Sequence, residues 1–92
     1  MRSIKAFVLP LPRPPESIVE VTMPQYARVL SVGIEQGELT AWALVDTTAN
    51  VRTVRFKVVT NNQDMQESEL EGFGFLGSVL AAGATRHVWL RR

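Results

Sequence analysis

Apolar and polar side chains alternate with a period of two along most of the chain, which is the signature of strands with one buried face. Twelve valines, spread through nearly every segment, strengthen that reading, because β-branched side chains suit a pleated surface. The alternation predicts seven strands, over residues 4–9, 17–23, 27–35, 39–46, 52–60, 73–80 and 85–90. No segment carries a convincing helical period.

The breaks between these runs have their own chemistry. Pro10, Pro12, Pro14 and Pro15 end the first strand, since proline lacks the N–H that a ladder needs. Flanked by strands, this stretch reads as a stiff connector in preference to an SH3-type ligand. In the second strand Val19, Val21 and Met23 share a face. The third and fourth strands meet at Gln36-Gly37, where glycine supplies the positive φ of a tight hairpin. A two-residue loop sets Glu35 opposite Glu38, Ile34 opposite Leu39, Val32 opposite Ala41 and Leu30 opposite Ala43. On the reverse face Trp42 then meets Ser31 and lies diagonal to Gly33, small residues that leave room for an indole.

In the fifth strand Val54, Phe56 and Val58 point inward, while Thr53, Arg55, Lys57 and Val59 point outward. Residues 61–72 form the most polar stretch and read as a solvated loop, with one short helical turn as the alternative. A last hairpin turns around Ala81-Ala82-Gly83-Ala84, after which Arg91 and Arg92 trail into solvent. The expected architecture is all-β: about seven short, mainly antiparallel strands in a small sandwich or a partly open barrel, with residues 1–92 as one domain. Residues 39–45 are apolar on both faces, which predicts a central strand covered on two sides; the alternative is an oligomer interface.

Composition narrows the chemistry. A hydrophobic fraction of 46% and a charged fraction of 21% exclude a disordered chain. A net charge of +1 is too balanced for the chain-wide basic character of a dedicated nucleic-acid binder, and duplex nucleic acid is not an expected partner. The absence of cysteine removes disulfides, zinc-thiolate sites and thiol nucleophiles. No apolar run is long enough for a membrane helix, and the first residues lack a signal-peptide pattern, so a soluble cytoplasmic protein is expected.

His87, the single histidine, has no second histidine or cysteine with which to build a metal site, and neither Asp46 nor Asp64 is placed beside it by sequence logic. It reads as a plain strand residue. No serine sits in a nucleophile elbow and no glycine-rich loop opens a helix, so neither catalysis nor a cofactor is expected. Gly72-Phe73-Gly74-Phe75 has the look of an RNA-binding aromatic strand without that motif's basic residues, and reads as a core strand. The acidic residues Asp64, Glu67, Glu69 and Glu71 lack calcium-loop spacing. Arg52, Arg55 and Lys57, joined by Asn61, form the one candidate ligand or partner site, because cations on a strand face meet phosphate or carboxylate groups.

The segments Ala27-Arg28-Val29-Leu30-Ser31-Val32, Gly37-Glu38-Leu39, Trp42-Ala43-Leu44-Val45-Asp46, Arg52-Thr53-Val54-Arg55-Phe56 and His87-Val88-Trp89 carry a resemblance. The chain resembles a family of small tailed-bacteriophage and prophage proteins that carry a domain of unknown function. Its hairpin is similar to the pattern ILSVQxQNGxLxLWALVD of that family. It departs from it at Val59-Thr60-Asn61-Asn62, where relatives commonly have Gly-Thr-Gly-His. The resemblance implies an accessory protein acting in the host cytoplasm. With catalytic sets absent, the expected role is non-enzymatic binding, such as blocking a host or anti-phage defence protein. The alternatives are an oligomeric protein that sequesters a nucleotide-like ligand and a minor virion or assembly component.

Overall fold

Gln36 and Gly37 take φ angles of 50° and 78°, and Ala82 and Gly83 take 51° and 78°. Paired positive φ values make the type I′ turn, whose twist matches that of two antiparallel strands. Each turn therefore closes a tight hairpin. In the computed structural model, which describes residues 1–92, the first turn joins β3 (Arg28–Glu35) to β4 (Glu38–Val45) and the second joins β6 (Phe73–Ala81) to β7 (Ala84–Arg91). The remaining strands are β1 (Ser3–Val8), β2 (Ile18–Pro24) and β5 (Val51–Thr60).

The strands form two antiparallel sheets, ordered β1-β4-β3 and β2-β5-β7-β6. They pack as an open sandwich and do not close into a barrel. The proline-containing connector carries the chain from the first sheet to the second, consistent with its reading as a spacer. Leu9, at its start, donates its N–H to the Leu39 carbonyl at 2.8 Å and buries its side chain.

The inward faces are those that alternation predicts. Val19 and Met23 of β2, Val54, Phe56 and Val58 of β5, Val88 of β7 and Leu39, Ala41, Ala43 and Val45 of β4 form one apolar core. The sheets come closest between β3 and β6, where a Cβ added to Gly77 would lie 3.1 Å from Val32 Cγ1.

Three expectations change. Leu30 does not face Ala43; Val29 does, because a bulge between Val29 and Ser31 takes Leu30 out of the ladder and leaves it exposed. Residues 61–72 are not wholly loop, since Glu67–Leu70 form a 3-10 turn whose start is tied by the Gln66 N–H donating to Glu69 Oε2 at 2.6 Å. Strand β4 is central in its sheet, but only its Leu39, Ala41, Ala43 and Val45 face lies in the core. Its other face, with Trp42 and Leu44, has no second layer and remains half-buried.

The other hairpin pairs, including Ser31 with Trp42, have the expected register. The indole does lie over Gly33, where an added Cβ would stand 3.0 Å from Trp42 Cζ3. In the β4–β5 connection, the Thr48 hydroxyl and N–H donate to Asp46 Oδ1 at 2.7 and 3.0 Å. Those bonds, led by the hydroxyl, hold the Asp46 carboxyl below the usual carboxylate range.

Candidate functional site

Strand pairing decides which of the basic residues meet. Phe56 of β5 lies opposite Leu90 of β7, so the chain beyond Leu90 runs beside Arg55 and Thr53. Arg91 and Arg92 are exposed, as expected, but they stay against the sheet, Arg91 as the last residue of β7. With Arg52, Thr53, Val54 and Arg55 they line one pocket of about 240 Å³, and no Asp or Glu side chain is part of its wall. Backbone contact holds the last residue there, the Arg92 N–H donating to the Gly72 carbonyl at 2.8 Å. Gly74 admits the Arg92 guanidinium over the β6 backbone, since a Cβ there would stand 3.1 Å from Arg92 Nε; at Gly72, whose φ is 79°, an added Cβ would meet Arg91 Cζ at an ordinary 3.5 Å.

The four guanidinium groups are poorly compensated. The single ion pair of the molecule joins Arg55 Nε to Glu20 Oε2 at 3.6 Å, and both side chains are more than half exposed. Such a pair contributes little and leaves Arg55 free to exchange partners. Arg52, Arg91 and Arg92 have no carboxylate within 4 Å. An arginine presents a planar fork of donors that matches phosphate or carboxylate oxygens, so this corner has the chemistry to meet an anion.

Lys57 and Asn61 stand differently from the sequence expectation. Lys57 points to the outer face of the sheet, as predicted, but it is only 4% exposed and does not share a solvent face with Arg55. Its ammonium donates to Ser17 Oγ at 3.3 Å and lies 5.4 Å from the Phe73 ring centre, with Arg91 at the same distance from that ring. Phe73 thus gathers two cations. A buried ammonium without a carboxylate loses hydration that a hydroxyl and a ring only partly replace. Lys57→Met, similar in volume and free of that cost, is expected to raise the unfolding free energy by about 1 kcal/mol. Urea unfolding of the two proteins checks this; a loss of stability would mean that Lys57 is held by interactions stronger than these.

Asn61 is turned to His87. Its Oδ1 accepts from His87 Nε2 at 2.6 Å, while His87 Nδ1 faces Ser78 Oγ at 2.7 Å. Because an amide oxygen only accepts, Nε2 carries a proton; in the neutral ring Nδ1 then accepts from the serine hydroxyl. His87 is therefore not an isolated strand residue: the β6–β7 and β5–β7 registers supply the partners that sequence order conceals. This is the tautomer in which a histidine can take a serine proton. No pocket reaches any of the three residues, so the trio has no concave surface in which to seat a substrate. No three acidic or histidine side chains gather as a metal site requires, and no helix is long and apolar enough to cross a membrane.

Phe73 and Phe75 are not core residues. Glycines at 72 and 74 alternate with them, and the phenyl rings take the outer face of the sheet together with Trp89. Phe75 is 62% exposed and meets the Trp89 ring edge-on, with centres 5.4 Å apart and planes at 65°. His87 continues the row, its ring 6.4 Å from that of Trp89. Compared with known proteins, the chain matches one protein family over residues 1–92. No curated protein and no solved structure matches it.

Proposed function

The chain belongs to the family described as a domain of unknown function, DUF7352, across its whole length, and on that premise we propose a non-enzymatic binding protein that holds a phosphate-bearing, nucleotide-like ligand. The observation that carries this reading is the pocket walled by Arg52, Arg55, Arg91 and Arg92 with no Asp or Glu side chain in its lining. Four clustered cations repel one another, and a phosphorylated ligand both relieves that repulsion and accepts their forked hydrogen bonds. Resemblance to small phage and prophage proteins supplies the setting we propose with it, an accessory protein acting in the host cytoplasm.

Calorimetric titration with cyclic and linear nucleotides tests the proposal. Saturable binding is expected, and the double variant Arg52→Ala/Arg55→Ala should weaken it at least about tenfold, since each charge-assisted bond contributes about 1.5–3 kcal/mol. Flat titrations for every nucleotide would remove the reading.

A second reading rests on a different surface. The outer face of the β1-β4-β3 sheet presents Ile4 and Val8, 60% and 49% exposed, beside half-buried Trp42 and Leu44. An apolar sheet face of this kind suits a protein partner, either a host or defence protein or a second copy of the chain. Sedimentation equilibrium of the protein and of Ile4→Lys separates these: a dimer abolished by the substitution supports self-association, and a monomer in both leaves the face to another protein.

A further inference from the structure

The arginine pocket and the aromatic row lie on adjoining parts of one sheet. Resting on the anion-binding reading above, we propose that together they bind single-stranded nucleic acid, with phosphates at the arginines and bases on the exposed rings. Phe73 is the joint between the two parts: its ring carries Lys57 and Arg91 at 5.4 Å, and Arg91 also lines the pocket. Two residues further along the same face, Phe75 offers an open ring whose orientation is set by the edge of Trp89.

Spacing and shape select the ligand. Residues two apart on a strand are separated by about 6.8 Å, twice the roughly 3.4 Å rise of stacked bases in a duplex. A base on Phe75 and a phosphate at Arg91 therefore suit an extended strand with splayed bases. Aromatic rings reach a base face only when that base is unstacked, which favours a single strand over a duplex. Beyond Trp89 the His87, Ser78 and Asn61 trio presents polar groups at the level where the next base edge would lie.

Fluorescence anisotropy of labelled oligothymidylate and oligouridylate, about ten nucleotides long and at low salt, tests the proposal. Binding is expected for one or both, with the pair separating DNA from RNA. A duplex of equal length should bind more weakly. Phe75→Ala removes an exposed ring that the core does not use and should weaken oligonucleotide binding about 5- to 150-fold. Inorganic tripolyphosphate serves as the arm that lacks a base. If it binds through Arg52 and Arg55 while oligonucleotides do not bind, or bind Phe75→Ala equally well, the single-strand inference falls and the anion pocket stands. If neither tripolyphosphate nor any oligonucleotide binds, both readings fall.

Discussion

Phe56→Ala is expected to remove a large share of the domain's stability. Phe56 is 0% exposed and sits in β5 between Val19 of β2 and Leu90 of β7, at the centre of the four-stranded sheet. Removing a buried phenyl ring costs about 3–5 kcal/mol, the sum of lost transfer free energy and the cavity left behind. A domain of this size has only about 5–14 kcal/mol in total. The melting temperature should fall by more than about 12 °C. Differential scanning calorimetry checks this, and a fall of only a few degrees would mean that β2 and β7 collapse into the space. Phe75→Ala gives the contrast. Its ring is mostly exposed and its main contact is the edge-on pair with Trp89, so the loss of stability should stay within about 1.5 kcal/mol, and any loss of ligand binding by the folded variant would belong to the binding face.

Gly77→Val should have the next largest effect. Gly77 lies where the two sheets approach most closely, and its added Cβ alone would stand 3.1 Å from Val32 Cγ1. Alanine there is expected to be nearly neutral, because the stiffer unfolded chain offsets a small shift of Val32 by about 0.4–1 kcal/mol. Valine adds two methyl groups with nowhere to go. Overpacking of this order costs about 1–3 kcal/mol, and β3 must move away from β6 to accommodate it. Chemical denaturation of the two variants beside the parent measures the difference. Equal stability of alanine and valine at position 77 would show that the gap between the sheets yields freely.

Much of the fold is legible in the sequence because side-chain alternation reports which face is buried. The inward set Val54, Phe56 and Val58 and the turn at Gln36-Gly37 follow from period and turn chemistry alone. Alternation does not report neighbours. Nothing local tells β1 to pair with β4, or β5 with β7, and the bulge at Leu30 shifts one residue without changing the pattern around it. The candidate site is illegible in the same proportion. Arg52 and Arg55 are close in sequence and can be grouped by inspection; Arg91 and Arg92 join them only through the β5–β7 register. Phe75 is as apolar as any core residue, and only the identity of the layer beyond its strand reveals that it faces outward. Lys57 shows the opposite error, since a lysine on the outward face of β5 is buried beside Phe73 and Ser17 from distant segments.

The β5–β7 pairing also sets an order in time. The two hairpins close over turns of two residues and can form within microseconds, whereas Phe56 and Leu90 meet only after the chain between them has been gathered in. The arginine pocket and its approach to the aromatic row depend on that late contact. A chain with both hairpins formed but β5 unpaired would have its rings in place and its charges scattered. The clustered charges of the pocket are therefore expected to arrive with the final docking of strands, and partly folded chains should lack them.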